Sequence, residues 1–300
     1  MNYAGVMPLS PQGIYVPLVT PFDATGAIDT ETLRKAVHVM LAAGVHGLVA
    51  AGTTGEGYAL SFDERRHVMQ VIVSEVNGAV PVLAGVGGMS THEALDQAVL
   101  AKRAGVTGLM LAAPSYCLPT PSELASHVAT VVAAVDLPTV LYDYPARTGV
   151  SFSQEVLEQV APLELVVGIK EASGDLSRID WLTTNFGSTL KIICGADVDS
   201  IAFLDAGVDC WIGGIANVLP AAHVAMLDAD KRSTVYSQIL PTLDFIESGD
   251  YIAKVKAGMA LRGLIVGAPR SPLAAINAET AELLSEALDQ AGQWAPALTR

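Results

Sequence analysis

A single lysine that ends an apolar segment is the most chemically suggestive residue of this sequence. Lys170 follows the residues Leu-Val-Val-Gly-Ile and precedes Glu171. A charged amine is costly to bury, so a lysine at such a point is exposed to solvent, paired with a carboxylate, or used in a reaction. Lys170 could extend its amine to solvent or pair with Glu171. A desolvated lysine can instead lose its proton and attack a carbonyl carbon.

A phenol and a guanidinium lie one predicted βα unit upstream of this lysine. Tyr142 ends the preceding apolar segment, so the sequence predicts that Tyr142 and Lys170 lie on consecutive strands about 5 Å apart. A phenol there could pass protons to and from the amine or its adduct. Arg147, in a rigid Pro-Ala-Arg-Thr-Gly loop, could bind a distal carboxylate in bidentate fashion or form a surface salt bridge.

A glycine-rich loop after the second apolar segment offers hydroxyl groups and accessible backbone amides. Gly52 and Gly55 would let N–H groups approach a carboxylate, and Thr53 and Thr54 add hydroxyl donors. The loop is not a P-loop, because no Gly-Lys-Ser/Thr follows it. Glu56 could orient the loop or cap the next helix. The alternative to an anion-binding loop is a tight βα turn in which a threonine caps that helix.

Composition and charge exclude several classes of protein. The net charge of −14 argues against nucleic acid as a partner, because few cations would neutralise its phosphates. No apolar stretch is long enough to predict a transmembrane helix. The first residues lack the pattern of a secretory signal, and three cysteines without metal-ligand spacing favour a reduced, cytoplasmic compartment. The six histidines are not clustered, so no metal site is expected.

Short β-branched segments alternate with Ala-rich helical segments, the pattern of βα units with a parallel sheet. The predicted strands are Gly13–Val19, Gly47–Ala51, Val80–Gly85, Gly108–Ala112, Thr139–Tyr144, Val166–Lys170, Lys191–Gly195 and Cys210–Gly214. The predicted helices between them are Thr30–Ala43, Asp63–Val76, Thr91–Ala104, Ser122–Val135 and Gln154–Val160, with Asp29, Ser90 and Ser153 as N-caps.

Strand signals stop near Asp228, and three helices follow. These are predicted over Thr234–Glu247, Tyr251–Leu264 and Ala278–Gln290. The fold class is therefore α/β, a (β/α)8 TIM barrel over residues 1–228 with a C-terminal three-helix region over residues 229–300. Chemistry in such a barrel gathers at the C-terminal ends of the strands, where the amine, phenol and hydroxyls lie.

Three motifs in this order resemble the dihydrodipicolinate synthase/N-acetylneuraminate lyase family of class I, Schiff-base-forming pyruvate aldolases. The motifs are Gly-Thr-Thr-Gly-Glu at 52–56, Tyr-Asp-Tyr-Pro-Ala-Arg-Thr-Gly at 142–149 and Gly-Ile-Lys-Glu-Ala at 168–172, and the resemblance covers residues 13–267. It implies that Lys170 forms an imine with pyruvate or another 2-oxo acid. It also implies that Tyr142 is the general acid and base, and that no cofactor is needed.

The resemblance also assigns roles to residues outside these central positions. Thr53 and Tyr116 would complete a proton relay, and the tyrosine typically reaches into a neighbouring subunit's site. Thr53 and Thr54 would help hold the pyruvate carboxylate, and Gly195 and Ile212 match positions that line the pocket. The family is usually a homotetramer built as a dimer of dimers.

Departures from the family pattern leave the second substrate open. Arg147 favours a synthase-type member, which condenses pyruvate with aspartate semialdehyde, because an arginine there suits a second substrate carboxylate. Asp143 stands where the synthase has asparagine, Gly57 where it often has serine, and Tyr144 where a smaller aliphatic residue is common. The alternatives are a 2-keto-3-deoxy sugar acid aldolase or dehydratase, an N-acetylneuraminate lyase-like enzyme, and a non-catalytic 2-oxo-acid-binding regulator.

Overall fold

Eight parallel strands close into a barrel in chain order, from the first strand round to the eighth and back to the first. The computed structural model describes residues 9–298, so the outer ends of the two predicted regions, residues 1–8 and 299–300, lie outside it. The strands are β1 Gly13–Pro17, β2 Gly47–Ala50, β3 Val82–Val86, β4 Gly108–Ala112, β5 Thr139–Asp143, β6 Val166–Glu171, β7 Lys191–Cys194 and β8 Cys210–Ile212.

Helices follow each strand and cover the outside of the barrel. The helices of this layer are α1 Thr30–Ala42, α2 Phe62–Val76, α3 Thr91–Ala104, α4 Pro121–Val135, α5 Pro145–Thr148, α6 Gln154–Val160, α7 Ser177–Phe186, α8 Ser200–Asp205 and α9 Pro220–Ala225. The C-terminal helices are α10 Ala229–Glu247, α11 Tyr251–Leu261 and α12 Ala278–Ala291. The predicted TIM barrel with C-terminal helices is confirmed, and α5 and α7–α9 were not among the predicted helices.

The strands are apolar because both of their faces are buried. The faces that point outward pack under the helices, and the faces that point inward fill the barrel. The interior is therefore a packed core rather than a channel, and a substrate site is expected above it, at the C-terminal strand ends. The inward-facing core residues include Tyr15, Val49, Leu83, Met110, Val140, Tyr142, Ile193 and Ile212.

Helix caps agree only partly with the sequence pattern. Asp29 accepts a hydrogen bond from the Thr32 N–H, and Ser90 accepts one from the Glu93 N–H, as N-caps do. Ser153 precedes α6 but makes no side-chain capping bond. Its hydroxyl is buried and has no hydrogen-bond partner among the described residues, so extended backbone rather than a capping bond starts this helix.

A buried ion pair joins the glycine-rich loop after β2 to the C-terminal helices. The Glu56 carboxylate is fully buried, and its Oε1 lies 2.5 Å from Nζ of Lys256 in α11. Its Oε2 accepts a hydrogen bond of 2.7 Å from the Arg270 N–H. Glu56 makes no capping bond, so it orients the loop by anchoring it to α11 and to the segment after α11.

No helix within residues 9–298 combines the length and the apolar composition that crossing a membrane requires.

Replacing Lys256 by methionine should lower the free energy of unfolding by about 3–5 kcal/mol, because Glu56 would be left as an unpaired buried charge. The measurement is urea unfolding of the two proteins at neutral pH. Lys35→Met is the matched control, since Lys35 pairs at 3.9 Å with Glu31 in an exposed position and should contribute less than about 1 kcal/mol. Equal effects of the two substitutions would contradict the assigned role of Lys256.

Candidate active site

A pocket of about 430 Å³ opens at the C-terminal ends of the strands. Its walls come from the loops after β2, β5, β6, β7 and β8 and from the α10–α11 connection. The pocket brings together most of the residues that the sequence singled out, namely Thr53, Thr54, Tyr142, Tyr144, Arg147, Lys170 and Gly195.

Lys170 is buried at the pocket floor, with 5% of its surface exposed. Its Nζ lies 4.2 Å from the centroid of the Tyr142 ring, which the β5–β6 register puts directly beside it. Glu171 does not pair with Lys170, because its carboxylate binds Arg178 instead. Burial lowers the pKa of Lys170 to about 8, although the negative charge of Asp197 opposes that shift. A larger fraction of this amine is therefore neutral at pH 7 than for an ordinary lysine.

Tyr142 supplies a phenol that keeps its proton at neutral pH. Burial raises the pKa of Tyr142 well above its usual range, and the neighbouring Tyr144 adds to the rise. The positive charge of Arg147 and the hydroxyl of Thr53 act in the opposite direction. A buried phenol beside an amine is a proton donor that solvent does not replace.

Arg147 presents a cation at the mouth of the pocket. It lies in α5, which Pro145 starts and Gly149 ends with a φ of +74°. The Cζ atom lies 5.4 Å from the centroid of the Tyr144 ring. No carboxylate of residues 9–298 pairs with Arg147, so the surface salt bridge is not formed and the guanidinium is available to an anionic ligand.

The glycine-rich loop turns tightly beside the pocket. A Cβ on Gly55 would come within 2.6 Å of the Leu18 carbonyl oxygen, so this glycine serves a close backbone approach. Gly52 borders a second cavity of about 400 Å³ rather than the pocket that holds Lys170. Thr53 and Thr54 alone of this loop face that pocket.

Besides Gly52 and Gly55, two more predicted site residues lie away from the pocket. Ile212 is fully buried in the barrel interior. Tyr116 is 89% exposed, and its φ of +70° turns the backbone into the left-handed region. Within one chain, the structure does not bring Tyr116 to the pocket that Thr53 and Tyr142 line.

Five titratable residues that line the pocket were not predicted from the sequence, namely Asp197, Asp199, Glu247, Asp250 and Tyr251. Asp197 follows β7, Glu247 ends α10 and Tyr251 begins α11. Asp197 lies two residues beyond Gly195. It therefore follows the end of a predicted strand, where functional residues of a TIM barrel are expected. No sequence signal marks Glu247 or Tyr251, because only the packing of the C-terminal helices brings them to the barrel mouth.

One guanidinium holds the strand ends that carry Lys170 and Tyr142. Arg178 in α7 donates hydrogen bonds of 2.6 Å to Asp143 Oδ2 and 2.7 Å to Glu171 Oε2. These carboxylates immediately follow Tyr142 and Lys170 and pair with each other in the β5–β6 register. Successive strand residues face opposite sides, so the ion pairs lie behind the site and fix the spacing of phenol and amine.

The described part of the chain contains no group of three or more His, Cys, Asp or Glu side chains arranged to hold a metal ion.

Comparisons with known proteins agree with the barrel and the motifs. The sequence profile of the dihydrodipicolinate synthetase family matches residues 10–291. The chain is 35% identical over 274 residues to the 4-hydroxy-tetrahydrodipicolinate synthase of Pelobacter propionicus, covering 89% of this chain and 93% of that protein. The family resemblance read from the sequence is confirmed.

Solved structures give the same result. The chloride-inhibited dihydrodipicolinate synthase of Acinetobacter baumannii, complexed with pyruvate, superimposes with a TM-score of 0.90 at 31% identity, covering 95% of this chain and 99% of that one. A monomeric dihydrodipicolinate synthase variant also superimposes with a TM-score of 0.90, at 32% identity. The match covers 94% of this chain and 97% of that one.

Replacing Arg178 by methionine should lower the free energy of unfolding by about 3–5 kcal/mol, because Asp143 and Glu171 would remain as buried, unpaired charges. Adding Asp143→Asn to that variant should recover part of the loss, since it removes one of the charges. Urea unfolding measures both effects. Arg66→Met is the control, because Arg66 pairs with Asp63 in solvent. A loss no larger than that of Arg66→Met would contradict the role of Arg178.

Proposed function

Because this chain belongs to the dihydrodipicolinate synthetase family, whose enzymes are of the class I aldolase type, we propose that it is a 4-hydroxy-tetrahydrodipicolinate synthase. The reaction condenses pyruvate with aspartate semialdehyde. The observation that carries the proposal is the buried amine of Lys170, which has a pKa of about 8 and lies 4.2 Å from the ring of Tyr142.

In the proposed reaction, the neutral amine of Lys170 attacks the keto carbon of pyruvate, and water leaves as the imine forms. The imine withdraws electrons, so the methyl group of the bound pyruvate loses a proton. This loss converts the imine into an enamine, whose nucleophilic carbon is the former methyl carbon. The enamine carbon then bonds to the aldehyde carbon, and the aldehyde oxygen takes up a proton. Attack on the imine carbon by the substrate's own amine, or by water, frees Lys170.

The remaining site residues have proposed roles in this cycle. Tyr142 exchanges the protons, since its phenol lies beside the amine and stays protonated. Thr53 and Thr54 line the pocket, and their hydroxyl groups are proposed to hold the pyruvate carboxylate. The imine itself supplies the electron sink, so we propose that the enzyme needs neither a metal nor an organic cofactor.

The assembly that we propose is a homotetramer built as a dimer of dimers. Tyr116 supports it, because an 89% exposed aromatic side chain outside its own pocket is suited to enter the site of a neighbouring subunit. There it would join Thr53 in the proton relay. The three cysteines are all free thiols, which supports the proposed cytoplasmic location.

A second candidate is a 2-keto-3-deoxy sugar acid aldolase or dehydratase. The carboxylates of Asp197 and Glu247 in the pocket favour it, because sugar hydroxyl groups donate hydrogen bonds. A non-catalytic regulator of the same fold would bind the 2-oxo acid through Lys170 but turn nothing over.

Borohydride reduction in the presence of pyruvate should attach one reduced adduct to Lys170, located by intact mass and peptide mapping. The trapping rate should rise with pH and level off above about pH 8, because the amine loses its proton there. Lys170→Met should give no adduct. An adduct on another lysine, or none, would exclude the proposed function, and an adduct without turnover of any aldehyde would identify a regulator.

Replacing Arg147 by alanine should lower kcat/KM about tenfold to a hundredfold for aldehydes that carry a carboxylate, the effect of losing a charge-assisted hydrogen bond. Turnover of uncharged sugar aldehydes and pyruvate trapping should be unchanged. Arg66→Ala, at an exposed position that does not line the pocket, is the control. An equal loss for every aldehyde would argue against carboxylate binding by Arg147 and favour the sugar-acid alternative.

A further inference from the structure

A buried carboxylate without a lysine or arginine partner lies in the pocket that holds Lys170. Asp197 has 3% of its surface exposed, and no lysine or arginine within residues 9–298 forms a salt bridge with it. His223 Nε2 lies 3.5 Å from its Oδ1, but neither atom makes a hydrogen bond. A buried carboxylate costs free energy unless a positive charge or hydrogen bonds compensate it, so a carboxylate in this position indicates an electrostatic role.

Two glycines at the end of β8 make room for this carboxylate. A Cβ on Gly213 would collide with Asp197 Oδ1, and a Cβ on Gly214 would collide with the Tyr251 hydroxyl oxygen. A larger residue at either position would therefore displace the carboxylate or the phenol that binds it. Asp197 follows β7, the strand that pairs with β6, which carries Lys170. The carboxylate and the amine thus reach one pocket from neighbouring strands.

Hydrogen bonds hold the Asp197 carboxylate in one position. Its Oδ2 accepts from the Ile215 N–H at 3.0 Å and from the Tyr251 hydroxyl at 3.1 Å. Burial and the negative charge of Asp197 raise the pKa of Tyr251 well above its usual range, so the phenol keeps the hydrogen that it donates. The Asp197 N–H donates to Glu247 Oε1 at 3.0 Å, which fixes the backbone of the same residue. The direction of the carboxylate is therefore set before any substrate binds.

Asp197 supplies the negative charge that acts on Lys170. Tyr142 faces the amine from β5, Cys194 from β7 and Asp197 from the loop after β7. Burial raises the pKa of both Tyr142 and Cys194 above the usual range, so the phenol and the thiol are uncharged at neutral pH. Burial lowers the pKa of Lys170 to about 8, and the charge of Asp197 opposes that shift. The other titratable groups that line the pocket are Tyr144, Arg147, Asp199, Glu247, Asp250 and Tyr251.

The proposed reaction creates a positive charge at this point. A neutral amine, a ketone and one proton give a protonated imine and one water molecule, so the nitrogen of Lys170 becomes cationic as the imine forms. The protonated imine is the electron sink that lets the methyl group lose its proton. A fixed negative charge favours the cationic form and needs no rearrangement when that charge appears.

We propose that Asp197 is the counter-ion of the protonated imine on Lys170, held in place by Ile215 and Tyr251. The inference deepens the proposed function and rests on it, because it assigns the residue that keeps the reacting imine protonated. It applies to the imine of any 2-oxo acid and does not depend on the second substrate. The same charge favours the cationic form of the free amine, so Asp197 slows imine formation while it speeds the step that needs a protonated imine.

The first test measures how imine formation and enamine formation depend on pH. Trapping of pyruvate with excess cyanoborohydride reports the first, and exchange of the pyruvate methyl hydrogens for deuterium reports the second. In Asp197→Asn the acid-side midpoint of the trapping rate should fall by about one pH unit, because the amine loses its proton more readily without the negative charge. At about pH 8 the exchange rate should fall about tenfold, since less of the imine is protonated. A merely structural role would not make the first step easier and the second slower.

Asparagine is a suitable replacement because it has the shape of aspartate. Its amide oxygen can accept the hydrogen bonds from Ile215 and Tyr251, so Asp197→Asn should fold. Asp197→Glu keeps the charge and should shift the midpoint less than Asp197→Asn. Asp205→Asn is the matched control, because it removes the same charge from α8 at a side chain that is 63% exposed and does not line the pocket. Its midpoint should equal that of wild type.

The titration of Glu247 must be separated from that of Lys170. Burial and the charge of Asp197 raise the pKa of Glu247 to about 7, so removing Asp197 would lower this pKa as well. The comparison is therefore repeated in a Glu247→Gln background, where the shift caused by Asp197→Asn should persist.

A second test needs no variant. The C=N stretching frequency of the pyruvate imine, measured by Raman spectroscopy of the wild type, should fall on transfer from water to D2O at about pH 9. This fall would show that the imine nitrogen keeps its hydrogen above the pKa of the free amine. In Asp197→Asn the difference between the two solvents should be lost at that pH.

Three results would overturn the inference: an unprotonated imine in the wild type, an unchanged midpoint in Asp197→Asn, or a shift that disappears in the Glu247→Gln background. In each case pyruvate trapping on Lys170 leaves the proposed function standing. If Asp197→Asn does not fold, the spectrum of the wild type decides the question. If the wild type traps no pyruvate, the proposed function falls first and the inference falls with it.

Discussion

The desolvation of one amine is the constraint on which the rest of this structure depends. The closed, packed barrel removes water from around Lys170 and lowers its pKa to about 8, while Asp197 prevents a larger fall. Tyr142 is desolvated in the same place, but there burial raises the pKa, so the phenol stays protonated. Burial is therefore the largest factor that prepares a nucleophile and a proton donor side by side, at the end of the barrel where the pocket opens.

Buried charges behind the site hold that arrangement in position. Arg178 binds the carboxylates that follow the phenol and the amine, and Lys256 binds Glu56 beneath the threonine loop. Each pair is costly to desolvate and would be replaceable by apolar packing if stability were the only requirement. Their value here is geometric, because each joins two segments that carry pocket residues.

Much of the barrel could be predicted from sequence, and the reasons are local. Strands that are buried on both faces form short apolar segments, which the sequence shows directly. The predicted strand bounds therefore differ from those of the structure by only a few residues. The predicted helices α1–α4 have 13 to 15 residues, which is enough turns to show a periodic pattern. In contrast, α5, α8 and α9 are only four to six residues long, which is too short for such a pattern.

The sequence by itself determined that the amine, the phenol and the threonine hydroxyls meet, because parallel strands of a barrel present all their C-terminal ends on one face. Only the tertiary structure decided which other groups reach them. Glu247 and Tyr251 enter the pocket from helices far along the chain, and Tyr116 leaves it through a left-handed backbone turn. Strand order follows from local pattern, whereas the docking of helices and the direction of loops depend on packing between segments that are distant in sequence.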